Sequence, residues 1–221
     1  MAKKEERKRM FLIEKISNRF AEKIANEMGY DQDKKEVMAY GTHAILQIFF
    51  SLLFVVIFGL IFGVLIEALI VSFSTSILRK YSGGVHAASP AICMIVGTVA
   101  CIGFGLLSIV PFATNLYFVY GYLIITFFIT MMVFIKLAPV ASSAKPISDK
   151  KKVRMKKGSL IALGIYLIIT TALLFGFYMS SEPAWLRYVF SLLCGTLWQA
   201  FTLTKAGEVV LGGLNKVLMS L

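Results

Sequence analysis

The sequence is poor in charge. Asp, Glu, Lys and Arg make up only 16% of its 221 residues, against roughly 25% in a soluble domain, which excludes an ordinary water-exposed surface. Acids are scarcest, 12 against 23 Lys and Arg. Three cysteines in a chain of this length exclude a disulfide framework. Cys93, Cys101 and Cys194 each lie in an apolar run with no partner nearby in sequence, so reduced thiols are expected. Two histidines and no HExxH, CxxC or P-loop pattern leave a metal or nucleotide cofactor without support. No apolar h-region precedes about residue 44; no secretory signal peptide is therefore expected, and the chain inserts through its own first hydrophobic helix.

What is abundant is apolar: 58% of residues are hydrophobic, against about 45–50% on average. The net charge of +11 sits in a few short stretches between long apolar runs. That is the composition of an integral membrane protein. Lys and Arg beside spans set orientation and touch anionic lipid, so the basic balance does not require nucleic acid.

Residues 1–43 read as a cytoplasmic basic region and 44–221 as one polytopic helical membrane domain. Over 10–28, Ile13, Ile16, Phe20, Ile24 and Met28 recur at steps of three or four beside a stripe of Lys15, Arg19 and Lys23. This predicts an amphipathic helix lying in the lipid interface or docking another amphipathic helix. From Ala44 to Leu78 the chain is nearly all apolar. As one helix it would reach about 52 Å, well beyond a hydrocarbon core of roughly 30 Å, so it must turn back. Two crossings with a turn near Gly63 to Glu67 are expected, a re-entrant hairpin being the alternative. Further windows cover 91–110, 116–135, 159–179 and 185–203, giving about six transmembrane helices. Ten Lys/Arg in the first 35 residues and eight in the Lys136–Lys157 loop place both cytoplasmic. An even number of crossings then separates them, both termini lie inside, and the 79–90 loop is cytoplasmic. Trp185 and Tyr188 would anchor the outer interface.

His86 lies in that loop, seven residues before Cys93. On one continuous helix the pair would sit about 10.5 Å apart, too far for proton transfer. Gly83-Gly84 permits a tight non-helical backbone, and Ser89-Pro90 reads as an N-cap followed by proline at the first helical position. Cys93 then falls in the opening turn of a helix, where His86 can fold back over it. A helix N-terminus and a neighbouring imidazolium both favour thiolate, and Arg79 or Lys80 adds to the effect. A Cys–His pair is the minimal activated nucleophile for acyl transfer. An interfacial histidine and a packed cysteine without chemistry give the same spacing.

The stretch Arg79-x-x-Ser82-Gly83-Gly84-x-His86-x6-Cys93 resembles the accessory gene regulator B (AgrB) family, membrane-embedded cysteine endopeptidases of Gram-positive quorum sensing. The motif covers 15 residues; elsewhere the likeness is one of layout. The resemblance implies a cell-membrane enzyme that processes an AgrD-like propeptide with an amphipathic leader, a short core and an acidic tail. Cys93 would attack the bond before the tail, leaving an acyl-thioester. A cysteine or serine of the peptide would then displace Cys93 to close a thiolactone or lactone ring. His86 would be general base and acid, Arg79 would favour thiolate or hold a substrate carboxylate, and Gly84 would set the loop backbone, with Ser82 and Gly83 supporting. Backbone N–H groups at 91–93 form the candidate oxyanion hole.

Lys150, Lys151, Lys152, Arg154, Lys156 and Lys157 either attract the acidic tail or act only as a positive-inside determinant. Gln199, in the last span, either bonds across the bundle or lines the peptide groove. His43 reads as interfacial, Cys101 and Cys194 as packing residues, and Glu67 as a mark of the outer turn. Ser72, Ser74, Thr75 and Ser76 read as interhelical glue. Gly97, Gly103 and Gly105 are read as points of close helix contact, and small-residue faces permit a homodimer. A non-enzymatic transporter or scaffold is the rival class. Glu67 is the sole acid between Ala44 and Ile135, thin for an ion path.

Overall fold

Backbone removed from water must satisfy its N–H and C=O groups internally, and for long apolar runs the outcome is helix. A computed structural model of the chain describes residues 19, 31–84, 90–140 and 148–220. Among them are seven α-helices: α1 Gln32–Ile61, α2 Leu65–Ser82, α3 Pro90–Ser108, α4 Leu116–Leu137, α5 Asp149–Ser180, α6 Pro183–Phe201 and α7 Lys205–Ser220, with a 3-10 turn over Pro111–Thr114. The all-helical expectation holds for these residues. The amphipathic helix expected over 10–28 falls, apart from Arg19, outside them. The chain divides into two compact units, Met1–Leu53 and Phe54–Leu221. In the first, Ile45, Ile48 and Phe49 on α1 are exposed.

All six apolar windows are helical. Among the described residues two helices, α4 and α5, are long and apolar enough to cross a membrane, whereas the apolar parts of α1 (Ile45–Ile61) and α3 (Ile92–Ser108) are shorter. The length-and-hydropathy requirement is thus met by two helices, not six. Only 22% of the apolar window of α4 and 28% of that of α5 is buried. Ile124, Phe128, Ile161, Ile168 and Phe175 face outward, which water does not tolerate over so large a contiguous area. These are the properties of a membrane protein.

The reversal inside the long 44–78 run falls where glycine permits it. Val64 N–H bonds to Gly59 O at 2.8 Å and Gly63 N–H to Leu60 O at 3.2 Å, the paired bonds of a Schellman motif, with Gly63 at φ 68°. A second departure from expectation lies in the Lys136–Lys157 loop, whose basic half is helical. α5 opens at Asp149, an acid in its first turn that complements the helix dipole, and runs 32 residues to Ser180. At about 48 Å it outlasts the hydrocarbon core, so its lysine-rich opening turns can stand outside lipid.

α6 is the axis of the second unit. Leu186, Val189, Leu193, Cys194 and Ala200 are all buried. α2 lies parallel to it and in register: Arg187 Nε is 3.6 Å from Glu67 Oε1, Thr75 Oγ1 donates to Gly195 O at 3.2 Å, and Gln199 Nε2 donates to Ser82 Oγ at 2.9 Å. A Cβ on Gly195 would overlap the Ser74 side chain, so the closest helix approach is here rather than at Gly97 or Gly103, which have open space beside them. Gly105 does sit close to α2: a Cβ added there would lie 3.2 Å from the Val64 side chain. α3 therefore runs antiparallel to α2, with Cys101 and Ile102 packed among Val55, Ala68 and Val71. α5 is antiparallel to both α2 and α6: Tyr166 OH donates to Ser74 O at 2.8 Å, Gly158 abuts the Tyr81 ring and Gly176 the Trp185 ring. Asn115 caps α4 by accepting from Phe118 N–H at 3.1 Å, and α4 returns beside α5 through a 2.9 Å bond between the Tyr120 and Tyr178 hydroxyls.

Candidate active site

This register sorts the helix termini by sign. One end gathers the C-termini of α2, α4 and α6 with the N-termini of α3 and α5, and with them Lys80, Lys136, Lys205 and the α5 run from Lys150 to Lys157. The other end holds the Gly63 turn, Glu67, Arg187, Tyr120, Tyr178 and Trp185. The candidate motif lies at the basic end.

Arg79 is half-buried in the last turn of α2, and its carbonyl accepts from Gly83 N–H at 2.9 Å. Lys80 is exposed, with its Nζ 5.7 Å from the centre of the Tyr81 ring. Gly83 has φ 71° and Gly84 φ 134°, two consecutive residues in backbone that L side chains avoid. The turn is held from three sides. Ser82 Oγ donates to Leu78 O at 2.9 Å within α2. Val140, just after α4, donates its N–H to Ser82 O at 3.0 Å and forms a single parallel bridge with Gly83. From α6, Gln199 Nε2 donates both to Ser82 Oγ and, at 2.7 Å, to Gly83 O. Fit is as tight as bonding: a Cβ on Gly83 would overlap the Val140 carbonyl, and one on Gly84 would lie 2.9 Å from Thr202 Oγ1.

α3 opens at Pro90, so Cys93 is its fourth residue, as the cap reading expects; its thiol is free and half-buried. Because α3 runs antiparallel to α2, this opening turn lies at the same end of the bundle as Arg79 and Lys80. His86 belongs to 85–89, outside the described residues, as does the Ser89 cap. His43 lies on α1, its side chain outside the described ones. Lys150, Lys151, Lys152 and Arg154 are exposed on the opening turns of α5, which meets α2 further along, where Gly158 abuts the Tyr81 ring. Lys152 and Asp149 pair at 3.4 Å at the surface, which is worth little.

Of the two placements open to Gln199, the bond across the bundle is the one observed. Cys101 and Cys194 are buried packing residues, 8% and 2% exposed. Thr75 bonds between helices, to Gly195 O, as its reading as interhelical glue expects. Glu67 lies in the first turn of α2, just after the Gly63 turn, 5% exposed and paired with Arg187. Thr202 and Val140 were not foreseeable as parts of the site. Thr202 ends an apolar span with an ordinary polar residue, and Val140 contributes only backbone, which no side-chain pattern announces. Among the described residues no group of three or more His, Cys, Asp or Glu could hold a metal.

The accessory gene regulator B family model matches residues 17–203. The chain belongs to the accessory gene regulator B family. It is 41% identical to AgrB-like protein 2 of Clostridium perfringens strain 13 over 212 residues, covering 90% of this chain and 95% of the relative. The AgrB-like protein of C. perfringens strain SM101 is 39% identical over the same shares of the two chains. Accessory gene regulator protein B of Staphylococcus intermedius is 26% identical over 76% of this chain and 73% of its own. No solved structure matches. The family match takes in Arg79 to Cys93 as well as Gln199 and Thr202, and it ends before α7. Membership carries a role in accessory gene regulator quorum sensing.

Proposed function

We propose that the protein is a membrane-embedded cysteine endopeptidase that removes the C-terminal tail of an AgrD-like propeptide and closes the released acyl end into a ring. It crosses the membrane six times, with the basic end of the bundle and both chain termini in the cytoplasm. The observation that carries this reading is the convergence of the Arg79–Gly84 turn, the opening turn of α3 with Cys93 and the lysine-rich start of α5 at one basic end of the bundle. A helix N-terminus favours thiolate, and Cys93 lies in the opening turn of α3.

In the reaction, His86 takes the proton of Cys93, and the thiolate attacks the carbonyl before the tail. The tetrahedral intermediate collapses, the C–N bond breaks, and the imidazolium returns the proton to the departing amine. The acyl group is now a thioester on Cys93. A thiol or hydroxyl of the same peptide, giving up its proton to His86, attacks that thioester and expels Cys93. The product is a thiolactone or lactone, and no water is consumed. Ring closure wins over hydrolysis only where water is scarce, a condition the membrane interface helps to meet. Lys150, Lys151, Lys152 and Arg154 present a cationic surface to the acidic tail.

The transporter alternative has a single acid between Ala44 and Ile135 to offer an ion path, and that acid, Glu67, pairs with Arg187 at the far end of the bundle. The test is processing of a candidate propeptide by membranes carrying the wild type, Cys93→Ala or His86→Ala. Both variants should insert normally and leave the peptide whole, while Cys101→Ala and Cys194→Ala should process it. Full activity in Cys93→Ala would end this reading.

A further inference from the structure

Gln199 is a large polar side chain with 0% exposure in a helix whose neighbours are apolar. A glutamine amide enclosed in a bundle is costly unless its groups find partners. Its use here is specific. Both donors go to the α2 turn, one to Ser82 Oγ at 2.9 Å and one to Gly83 O at 2.7 Å. The amide orientation follows from chemistry: a carbonyl such as Gly83 O only accepts, and Ser82 Oγ, already donating to Leu78 O, is left to accept. Gln199 Oε1 is thereby turned away from these two acceptors and has no hydrogen-bond partner among the described residues. The backbone of the same residue also takes part. Gln199 O accepts from Thr202 Oγ1 at 2.8 Å, and that oxygen is the atom against which a Cβ on Gly84 would press.

One residue of α6 thus governs two successive glycines whose φ values of 71° and 134° no helix or strand would impose. A contact serving only to pack α2 against α6 needs no such aim, and Thr75 to Gly195 O already supplies one. His86 follows Gly84 by two residues in the sequence.

We propose that Gln199 is a positioning residue of the Cys93 site: its amide fixes the Gly83–Gly84 turn and, through it, the direction in which the chain leaves α2 toward His86. The inference rests on the proposed endopeptidase reading and adds to it a residue 106 positions from the nucleophile in sequence. It touches neither substrate nor reacting atoms, so its loss should slow chemistry rather than weaken binding.

The experiment uses the full-length protein in lipid nanodiscs, with Cys101→Ala and Cys194→Ala so that Cys93 is the sole thiol. Steady-state processing of an AgrD-like propeptide and the rate of Cys93 alkylation by iodoacetamide are measured for the parent, Gln199→Leu, Ser82→Ala and the double variant. Misaiming a catalytic group by about 1 Å costs on the order of 100-fold. Gln199→Leu should therefore lose about 10- to 100-fold in kcat with KM within about threefold. Alkylation should slow, because a displaced imidazole no longer draws the proton from the thiol, whereas general loosening of the fold would speed it. Adding Ser82→Ala to Gln199→Leu should cost little more, since both act through one bond. Wild-type kcat in Gln199→Leu, a loss accompanied by faster alkylation, or multiplying effects of the two substitutions would each overturn the inference. If Gln199→Leu does not fold, Gln199→Glu replaces it. The shape is kept, a carboxyl group has at most one donor where the amide uses two, and a loss of kcat in the same direction is expected, wild-type kcat again overturning the inference. Cys93→Ala is run beside them. Processing by that variant removes the endopeptidase reading itself, while a dead Cys93→Ala with a full-speed Gln199→Leu removes only the role given to Gln199.

Discussion

Gly83→Ala is the substitution for which the geometry gives the sharpest expectation. With φ 71° and ψ −143°, the residue occupies backbone that costs an L residue on the order of 1–3 kcal/mol. The added Cβ would also overlap the carbonyl of Val140, so Val140 must retreat. Its retreat strains the Val140 N–H bond to Ser82 O, and shifting Gly83 strains the Gln199 bond to Gly83 O. Each such bond is worth about 0.5–1.5 kcal/mol net. The sum is a loss of about 2–6 kcal/mol, confined to the basic end of the bundle. Gly97→Ala is the matched control. Gly97 lies inside α3 with nothing within 4 Å of an added Cβ, so alanine there should be neutral or stabilise by up to about 1 kcal/mol. Unfolding of detergent-purified protein, followed by circular dichroism, compares the two. Processing rate is read on the folded fraction, where Gly83→Ala should also be slow. Equal stability of Gly83→Ala and Gly97→Ala, with wild-type processing by the former, would refute the idea that this turn is held in a conformation open only to glycine.

Two further expectations concern other parts of the molecule. Glu67→Gln leaves Arg187 without its partner; because the Arg187 side chain is 34% exposed, the cost should be about 1–2 kcal/mol rather than the 3–5 kcal/mol of a fully buried pair. Its folded fraction should process peptide normally, and loss of activity at unchanged stability would show that Glu67 does more than join α2 to α6. Reversing the charge of Lys150, Lys151 and Lys152 together should raise KM for an acidic-tailed propeptide by about 10-fold, equivalent to about 1.4 kcal/mol, and flatten its salt dependence. A peptide with a neutral tail should be little affected, and an equal effect on both peptides would remove the tail from the role of ligand.

Much of this was legible because lipid simplifies sequence. Runs of about 20 apolar residues favour helix in lipid, and all six windows are helical, with Gly63 at the place where the 44–78 run reverses. Length misled at the third window pair. The Lys-rich stretch before Ser159 reads as loop because it is charged, yet lysines are good helix formers, and with Asp149 at its start α5 simply continues outward. The pairing of helices was less visible. That α2 and α6 lie parallel depends on Gly195 meeting Ser74 across more than a hundred residues, and no local period records it. The polar residues carried the clue: Gln199 and Glu67 are each anomalous in their surroundings, and each meets a partner on the facing helix. Of the site, the spacing from Arg79 to Cys93 was readable as a motif, whereas the hold on its turn by Val140 was not, since a backbone N–H leaves no mark in composition.

The central claim is that Cys93 carries the acyl group of a peptide, and intact-mass analysis asks it directly. Purified wild type and Cys93→Ala are incubated with a candidate AgrD-like propeptide, and both protein and peptide are weighed. The account predicts that the peptide loses the mass of its tail and that an acyl adduct, labile to hydroxylamine, appears on wild type and not on Cys93→Ala. Tail removal by Cys93→Ala, or an adduct that persists when Cys93 is absent, would contradict it.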